Sequence, residues 1–391
     1  MRTLKGFKRS NGQYGVRNKV IVMSTVGCAN ETARRITLNV PGTVFIPAAK
    51  GCGQVGDSVE ITMRTLTGVA LNPNVYGIII VGLGCETIQP FKLQKRISMQ
   101  TDKPLWAYSI QNEGGTVKAI NKISEKAKYL YEESLKEERV DFGIEHLTLA
   151  TNCGGSDATS GLAANPALGY TSDFLVQSGG TSILGETTEL IGTEHILCSR
   201  AANEQVKEDL LKIILGLEEQ FKDLGVDIRG ANPSPGNQRG GLTTLEEKSL
   251  GAIMKGGNSV IKQVVRYGEI PTEKGLIIMD TPGYDIESVT GMVGGGAQIC
   301  VFTTGRGTPI GNPLVPMIKV TGNKLTYENM SDNIDLNLSP IVDAEITIED
   351  GGKIILEEII DVCNGKTTKA ENFGFNEFAI YRNNEVWACN L

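Results

Sequence analysis

Short runs of branched apolar residues recur along the chain, and several break into glycine beside a reactive side chain. Ile78-Ile79-Ile80-Val81 leads into Gly82-Leu83-Gly84-Cys85-Glu86, and four branched residues bounded by glycines read as a strand buried on both faces. Lys19 to Val26 predicts an earlier strand that ends at Gly27-Cys28-Ala29-Asn30, and Thr43 to Pro47 another that ends at Lys50-Gly51-Cys52-Gly53. Helical patterns through Arg35 and over about Ser58 to Leu71 separate these strands, and a strand near Leu105 to Tyr108 follows. The charged run Ile120 to Glu138 reads as a helix with a solvated face.

The alternation continues. Leu147 to Thr151 predicts a strand ending in Asn152-Cys153-Gly154-Gly155-Ser156-Asp157, and Thr181 to Leu184 one ending in Gly185-Glu186-Thr187-Thr188-Glu189. An amphipathic helix over Glu204 to Leu224 precedes Asn232-Pro233-Ser234-Pro235-Gly236-Asn237, whose prolines exclude regular structure. Strands recur near Leu276 to Asp280 and Gln298 to Thr303, ending in Thr281-Pro282-Gly283 and Thr304-Gly305-Arg306-Gly307. This order predicts an α/β fold of two doubly wound, Rossmann-like parallel-sheet units, with the active site in the crevice between them. The units are placed at residues 1–139 and 140–391, with an inner boundary at 231–240 left open.

Bulk composition narrows the function classes. A net charge of -7 with no basic block argues against nucleic acid as a partner. No apolar run approaches the roughly 20 residues that span a bilayer, and Met1-Arg2-Thr3-Leu4-Lys5 has no apolar signal core, so no membrane partner and a cytoplasmic location are expected. No Walker A or GxGxxG fingerprint follows a strand, which argues against a nucleotide cofactor. Only two histidines occur, His146 and His195, so a histidine-rich zinc site is excluded; His195 reads as structural.

The candidate chemistry lies at the strand ends. In a parallel sheet Cys28, Cys52 and Cys85 share one rim, and Cys153 ends a strand of its own. The eight cysteines contain no CxxC pair, and thiolates at such ends suit iron, zinc or a cluster; the plain alternative is packing as small hydrophobes, the reading given to Cys198, Cys300, Cys363 and Cys389. Asp57, Glu86, Asp157, Glu186 and Glu189 fall on the presumed rim as bases, metal ligands or helix caps, Asp57 being read as a cap. Arg17, Arg64 and Arg306 offer forks for an acidic substrate.

Several segments together resemble the altronate/galactarate dehydratase family. They are Gly15-Val16-Arg17-Asn18, Val26-Gly27-Cys28, Gly51-Cys52, Val81-Gly82-Leu83-Gly84-Cys85-Glu86, Cys153-Gly154-Gly155-Ser156-Asp157, Ala164-Asn165-Pro166, Asn232-Pro233-Ser234-Pro235-Gly236-Asn237 and Thr303-Thr304-Gly305-Arg306-Gly307. The resemblance implies a sugar-acid dehydratase that removes water from a hexonate or hexarate, with sulfolactate sulfo-lyase as the alternative and a non-catalytic sugar-acid binder as a third reading. It implies a divalent metal, commonly iron or manganese; with the thiols at the strand ends the expectation is iron, as mononuclear Fe2+ or a labile Fe–S cluster, with Mn2+ or Mg2+ as the alternative. It also implies a separate small subunit of the SAF-domain type, within an oligomer. Strand-end placement and these motifs assign Cys28, Cys85 and Cys153 as metal ligands with Cys52 as the alternate. The same reading makes Glu86, Glu186 and Asp157 acid/base candidates and Arg17, Asn18, Asn165 and Arg306 substrate contacts.

Overall fold

The structure is a computed structural model that describes residues 3–381. A small antiparallel sheet begins the chain, where β1 (Leu4–Lys8) pairs with β2 (Tyr14–Gly15) and later with β7 (Val140–Phe142). The sequence pattern missed it, because β2 and β7, at two and three residues, are too short to carry periodicity.

The first parallel sheet holds β3 (Lys19–Ser24), β4 (Val44–Ile46), β5 (Val75–Gly82) and β6 (Leu105–Ser109) in the order β4-β3-β5-β6. Its central strands are apolar on both sides because helices cover both faces. On one face, Ile36 of α1 (Asn30–Asn39) and Ile123 and Leu130 of α4 (Thr116–Ser134) pack on Val20, Val22, Ile79 and Val81. On the other, Leu66 and Val69 of α2 (Asp57–Leu71) and Leu93 of α3 (Pro90–Ser98) meet Ile21, Ile78 and Ile80. Asp57 is the first residue of α2 and makes no capping bond, contrary to its reading as a cap.

The second parallel sheet has seven strands. They are β8 (Thr148–Cys153), β9 (Thr181–Leu184), β10 (Ile261–Val265), β11 (Gly275–Met279), β12 (Ile299–Thr303), β13 (Met317–Thr321) and β14 (Leu336–Asn337), in the order β10-β11-β9-β8-β12-β13-β14. Polar residues inside β10 (Lys262, Gln263) and β13 (Lys319) hid these strands from the pattern. Lys319 is buried because its ammonium donates to the carbonyls of Pro309 and Ile310 at 3.0 and 2.7 Å. One face of this sheet is covered by α5 (Asn165–Gln177), by α7 (Glu204–Asp223), which follows the short α6 (Glu194–Ser199), and by the helix Ile348–Cys363. The segment read as irregular is not so: α8 (Ile228–Ala231) and α9 (Pro235–Arg239) flank a cis Asn232–Pro233 bond. Pro235 sits in the first turn of α9, where its missing N–H costs nothing, and the Ser234 hydroxyl caps the helix. α10 (Leu245–Ile253) then leads to β10, and α11 (Asp285–Gly294) joins β11 to β12.

α2 and α11 meet between the two sheets within one apolar core that holds Ile78 and Ile80 together with Ile277, Met279 and Phe302. The amino ends of the sheets are tied by side chains. Asn72 Nδ2 donates to the carbonyls of Val293 (3.0 Å) and Ala297 (2.7 Å), and Asn74 Nδ2 to those of Gln298 (2.9 Å) and Leu314 (3.1 Å). Among the described residues no helix is long and apolar enough to cross a membrane.

The α2–α11 contact generates a stability prediction. A Cβ on Gly68 would overlap the carbonyl oxygen of Gly294, a backbone atom that cannot turn aside. Helix propensity alone favours alanine over glycine by about 1 kcal/mol, but overpacking of this kind costs about 1–3 kcal/mol or more. Gly68→Ala is expected to lower the denaturant midpoint; unchanged or raised stability would contradict the contact.

Candidate active site

The seven-stranded sheet reverses its winding at β8. From β8 the chain passes to β9, runs out to the edge strand β10 and fills in β11 between them, then returns to lay β12 on the opposite side of β8. The crevice beyond the carboxyl ends of β8 and β12 is where open α/β sheets bind ligands. Cys153, the last residue of β8, pairs with Thr303 at the end of β12, and a cavity of about 560 Å³ opens there, bordered by Cys153, Ser156, Glu189, Lys248, Asp285 and Arg306. All its lining residues fall between 153 and 307, so the cavity belongs to the second sheet alone and not to a crevice between the two units. The α9 segment forms one wall, held by Asn237 Nδ2 donating to the Ser156 carbonyl at 2.9 Å.

Behind the cavity wall lies a knot of charge. Lys255, fully buried in the turn Met254–Gly256, donates to Cys153 Sγ at 2.8 Å and to Glu186 Oε2 at 2.5 Å, and lies 3.7 Å from Glu189 Oε2. The Cys153 thiol donates to Glu189 Oε2 at 3.1 Å, and Lys248 of α10 pairs with Glu189 Oε1 at 2.8 Å. Glu186 also accepts the Cys153 N–H at 3.0 Å. Its backbone is left-handed (φ 68°), which a non-glycine residue adopts at a cost; the Glu186 N–H donation to Thr281 Oγ1 at 2.6 Å holds it there. Cys153, Glu186 and Glu189 have ligand atoms within 4.8 Å of one another, the spacing a single bound cation needs. The Lys255 ammonium stands among them as that cation.

These environments separate the titrations. Burial, reinforced by the Glu189 charge, pushes Glu186 up to about 8. Burial also acts to raise Glu189, but Lys248 and Lys255 outweigh it and hold that carboxyl below the usual range. Asp285, at the start of α11 with its carboxylate where a Cβ on Gly154 would fall, is raised to about 7 by burial and by Glu189. Burial acts to neutralise Lys255, yet Cys153, Glu186 and Glu189 together keep it charged. Burial first, then the two glutamates, hold Cys153 as the neutral thiol.

Of the residues singled out from sequence, Cys153, Glu186, Glu189 and Arg306 meet at this site. Asp157 and Asn165 border a neighbouring cavity of about 340 Å³ that shares Cys153, Ser156 and Lys248 with it. The Asp157 carboxylate is occupied by Thr159, Ser160 and Asn323, and the Asn165 side chain bridges Gly251 and Thr303. Glu86 lies in the first unit, where its carboxylate accepts from Thr25 Oγ1, Leu83 N and Gly84 N and so fixes its own loop. Arg17 is spent on a two-pronged pair with Glu371 and on backbone carbonyls, Asn18 on the Ser134 carbonyl, and Arg64 on that of Tyr267. Cys28, Cys52 and Cys85 are exposed and take no part in the Cys153 cluster. Cys300 and Cys363 are buried as expected, Cys198 is half-buried, and Cys389 lies outside the described residues. His195 is exposed on α6, and His146 packs on the Tyr14 ring.

Sequence reading missed Lys248, Lys255 and Asp285. Two signals were available. Lys255 interrupts the apolar stretch Ala252-Ile253-Met254 just before a glycine pair, and Asp285 follows the strand-end turn Thr281-Pro282-Gly283 by two residues.

Residues 144–386 match the family described as D-galactarate/Altronate dehydratase, C-terminal, and residues 6–134 the one described as D-galactarate dehydratase/Altronate hydrolase, second domain. The altronate dehydratase of Bacillus subtilis is 35% identical over 97% of this chain and 78% of its own length. The (2R)-sulfolactate sulfo-lyase subunit beta of Chromohalobacter salexigens is 35% identical over 97% of both chains. The galactarate dehydratase (L-threo-forming) of Escherichia coli is 34% identical over 97% of this chain and 76% of its own length.

Two outcomes follow from the charge knot. Lys255→Met removes the buried donor to Cys153 Sγ and Glu186 Oε2 and leaves Glu189 with Lys248 as its remaining cation, and is expected to cost about 3–5 kcal/mol in denaturant unfolding at neutral pH; a loss below 1 kcal/mol would contradict the pairing. Asp285 keeps its proton in the folded state up to about 7, whereas the unfolded chain releases it near 3.8. The native state therefore binds more protons between those values, and stability falls there as pH rises. Asp285→Asn should gain on the wild type steadily from pH 4 to about 7 and level off above; a pH-independent difference would refute the raised carboxyl.

Proposed function

The chain belongs to the D-galactarate/altronate dehydratase family, and from that membership and the cavity's geometry we propose that it is a sugar-acid dehydratase. It eliminates water from a hexonate or hexarate such as altronate or galactarate and leaves a 2-keto-3-deoxy acid. The observation that carries this reading is that Lys248, Arg306 and the Asp285 carboxyl face one cavity. Two cations suit a substrate carboxylate, and a carboxyl poised near neutrality suits proton abstraction beside it.

In this reading the substrate carboxylate lies against Arg306 and Lys248. Asp285 takes the proton from the adjacent carbon, and the released electron pair spreads into the carboxylate, where the cations stabilise it. The pair then closes the carbon–carbon double bond as the hydroxyl on the next carbon departs. Asp285, now protonated, returns the proton to the leaving hydroxide, and the enol rearranges to the keto acid. The thiol of Cys153 and the carboxylate of Glu189 line the same cavity, and Lys255 with Glu186 fixes both from behind.

The triad Cys153, Glu186 and Glu189 matches a cation in spacing, but not a divalent ion with Lys255 in place. A second positive centre would sit within about 3 Å of a buried ammonium, which a low-dielectric interior penalises heavily. No step is therefore routed through a metal here.

The sulfo-lyase reading is the second one, favoured by the match along 97% of a relative named as a sulfo-lyase subunit. That relative's name, a subunit beta, also supports assembly with another subunit; we take this partner to be a separate small subunit of SAF type, within an oligomer. The free thiols of the described cysteines fit a reducing cytoplasm.

Incubation with altronate, galactarate and sulfolactate, assaying 2-keto acid and sulfite, separates the readings. Keto acid from a sugar acid without sulfite supports the dehydratase, sulfite supports the sulfo-lyase, and binding without turnover leaves a sugar-acid binder. Asp285→Asn should lower kcat by about 10²- to 10⁴-fold with KM little changed, and wild-type kcat/KM should rise with pH up to about 7 as the carboxyl ionises. Full activity of Asp285→Asn would overturn this assignment.

A further inference from the structure

The four-stranded sheet has a switch point of its own. From β3 the chain moves to β4 on one side and returns to lay β5 on the other, so the crevice beyond the carboxyl ends of β3 and β5 is this sheet's ligand position. Three loops meet there, each carrying a cysteine: Cys28 after β3, Cys52 after β4 and Cys85 after β5. Backbone bonds stitch them together. Gly27 N donates to the Lys50 carbonyl at 2.7 Å, Ile88 N to the Gly51 carbonyl at 3.0 Å, and the Thr25 hydroxyl reaches Glu86 at 2.8 Å. Gly51 packs so closely on the Thr25 carbonyl that a Cβ would overlap it, and its φ of 99° suits glycine. The thiols therefore stand one residue from the stitched backbone positions in two loops and three residues in the third. All three are exposed, and within the described residues none of their sulfurs has a hydrogen-bond partner.

The dehydratase site does not use these groups, and packing does not explain them, since structural free cysteines are normally buried. The set is also wrong for a single ion. The trio is not among the groups of described residues whose ligand atoms all lie within 4.8 Å of one another. Nor does either histidine supply a fourth corner for tetrahedral zinc, with His146 on Tyr14 and His195 on α6 of the second unit. A cubane cluster spreads its thiolate ligands more widely than one ion does and tolerates one iron without a protein thiolate. We propose that Cys28, Cys52 and Cys85 hold a [4Fe–4S] cluster at the carboxyl edge of the four-stranded sheet, with its fourth iron open to an oxygen ligand. Cys153 is not a ligand of that cluster, because its sulfur is buried between Lys255 and Glu189.

The test is anaerobic reconstitution of the full chain with ferric iron, sulfide and excess thiol, then desalting. Iron and acid-labile sulfide are counted, and the electron paramagnetic resonance spectrum is recorded after dithionite reduction. Wild type and Cys153→Ser should each retain about four iron and four sulfide per chain and give the signal of a reduced cubane. Cys28→Ser, Cys52→Ser and Cys85→Ser should each lose most of both, with far-ultraviolet circular dichroism unchanged. Iron bound without sulfide, no sulfide retained by the wild type, or loss in Cys153→Ser but not in the other three would overturn the proposal. The readout is the cluster and not turnover, so its failure leaves the dehydratase reading standing.

Discussion

The second half of the molecule depends on one buried ammonium. Lys255 has no solvent contact, yet it stays charged because a thiol and two carboxylates close on it. Transfer of a lone ammonium into such a place costs several kcal/mol even after relaxation, and only close, well-aligned anions offset it. The requirement runs both ways. Glu186 is held at a left-handed φ by its N–H donation to Thr281, and Cys153 ends a central strand, and both meet the ammonium from there. A cluster of this kind rigidifies whatever lies in front of it, and what lies in front is the cavity bordered by Lys248, Asp285 and Arg306.

The second constraint is the joining of the sheets by their amino edges. Asn72 and Asn74 spend their amides on backbone carbonyls next to β12, and α2 presses a glycine against α11. Each sheet has its own switch-point crevice beyond its carboxyl edge. The two crevices have opposite chemistry. One is charged and backed by a buried lysine; the other carries soft thiols on exposed glycine loops.

What was legible in the sequence follows from which signals are local. The strands of both sheets that run as unbroken branched residues, such as Ile78 to Val81, declare themselves because burial on two faces admits little else. Glu186 and Cys153 were recognisable as strand-end groups by the same token. Their partners were not, because Lys248 and Lys255 come from a helix and a turn about 100 residues beyond β8 and reach Cys153 only through tertiary packing. Charge misled in the other direction. Glu86, Arg17 and Asn18 resemble site residues by position and motif, but their hydrogen bonds close loops and join chain segments. A polar side chain in a glycine-rich stretch has two uses, ligand contact and backbone satisfaction, and only coordinates distinguish them.

The placement of Cys153 shows why grouping four thiols by chain pattern alone is insufficient. It ends a parallel strand as neighbouring residues of Cys28 and Cys85 do, and the glycines around it look alike. Its strand, however, lies at the centre of the larger sheet, where α10 and the following turn cover the carboxyl edge and bring two lysines onto it. Covered in this way, the sulfur is a buried neutral thiol that accepts from Lys255 and donates to Glu189. The first sheet has no such cover at β3 and β5, its loops are stitched by backbone bonds, and its sulfurs face outward. The same residue type at the same topological position thus acquires different chemistry from a single difference: whether the chain later folds a cation over it.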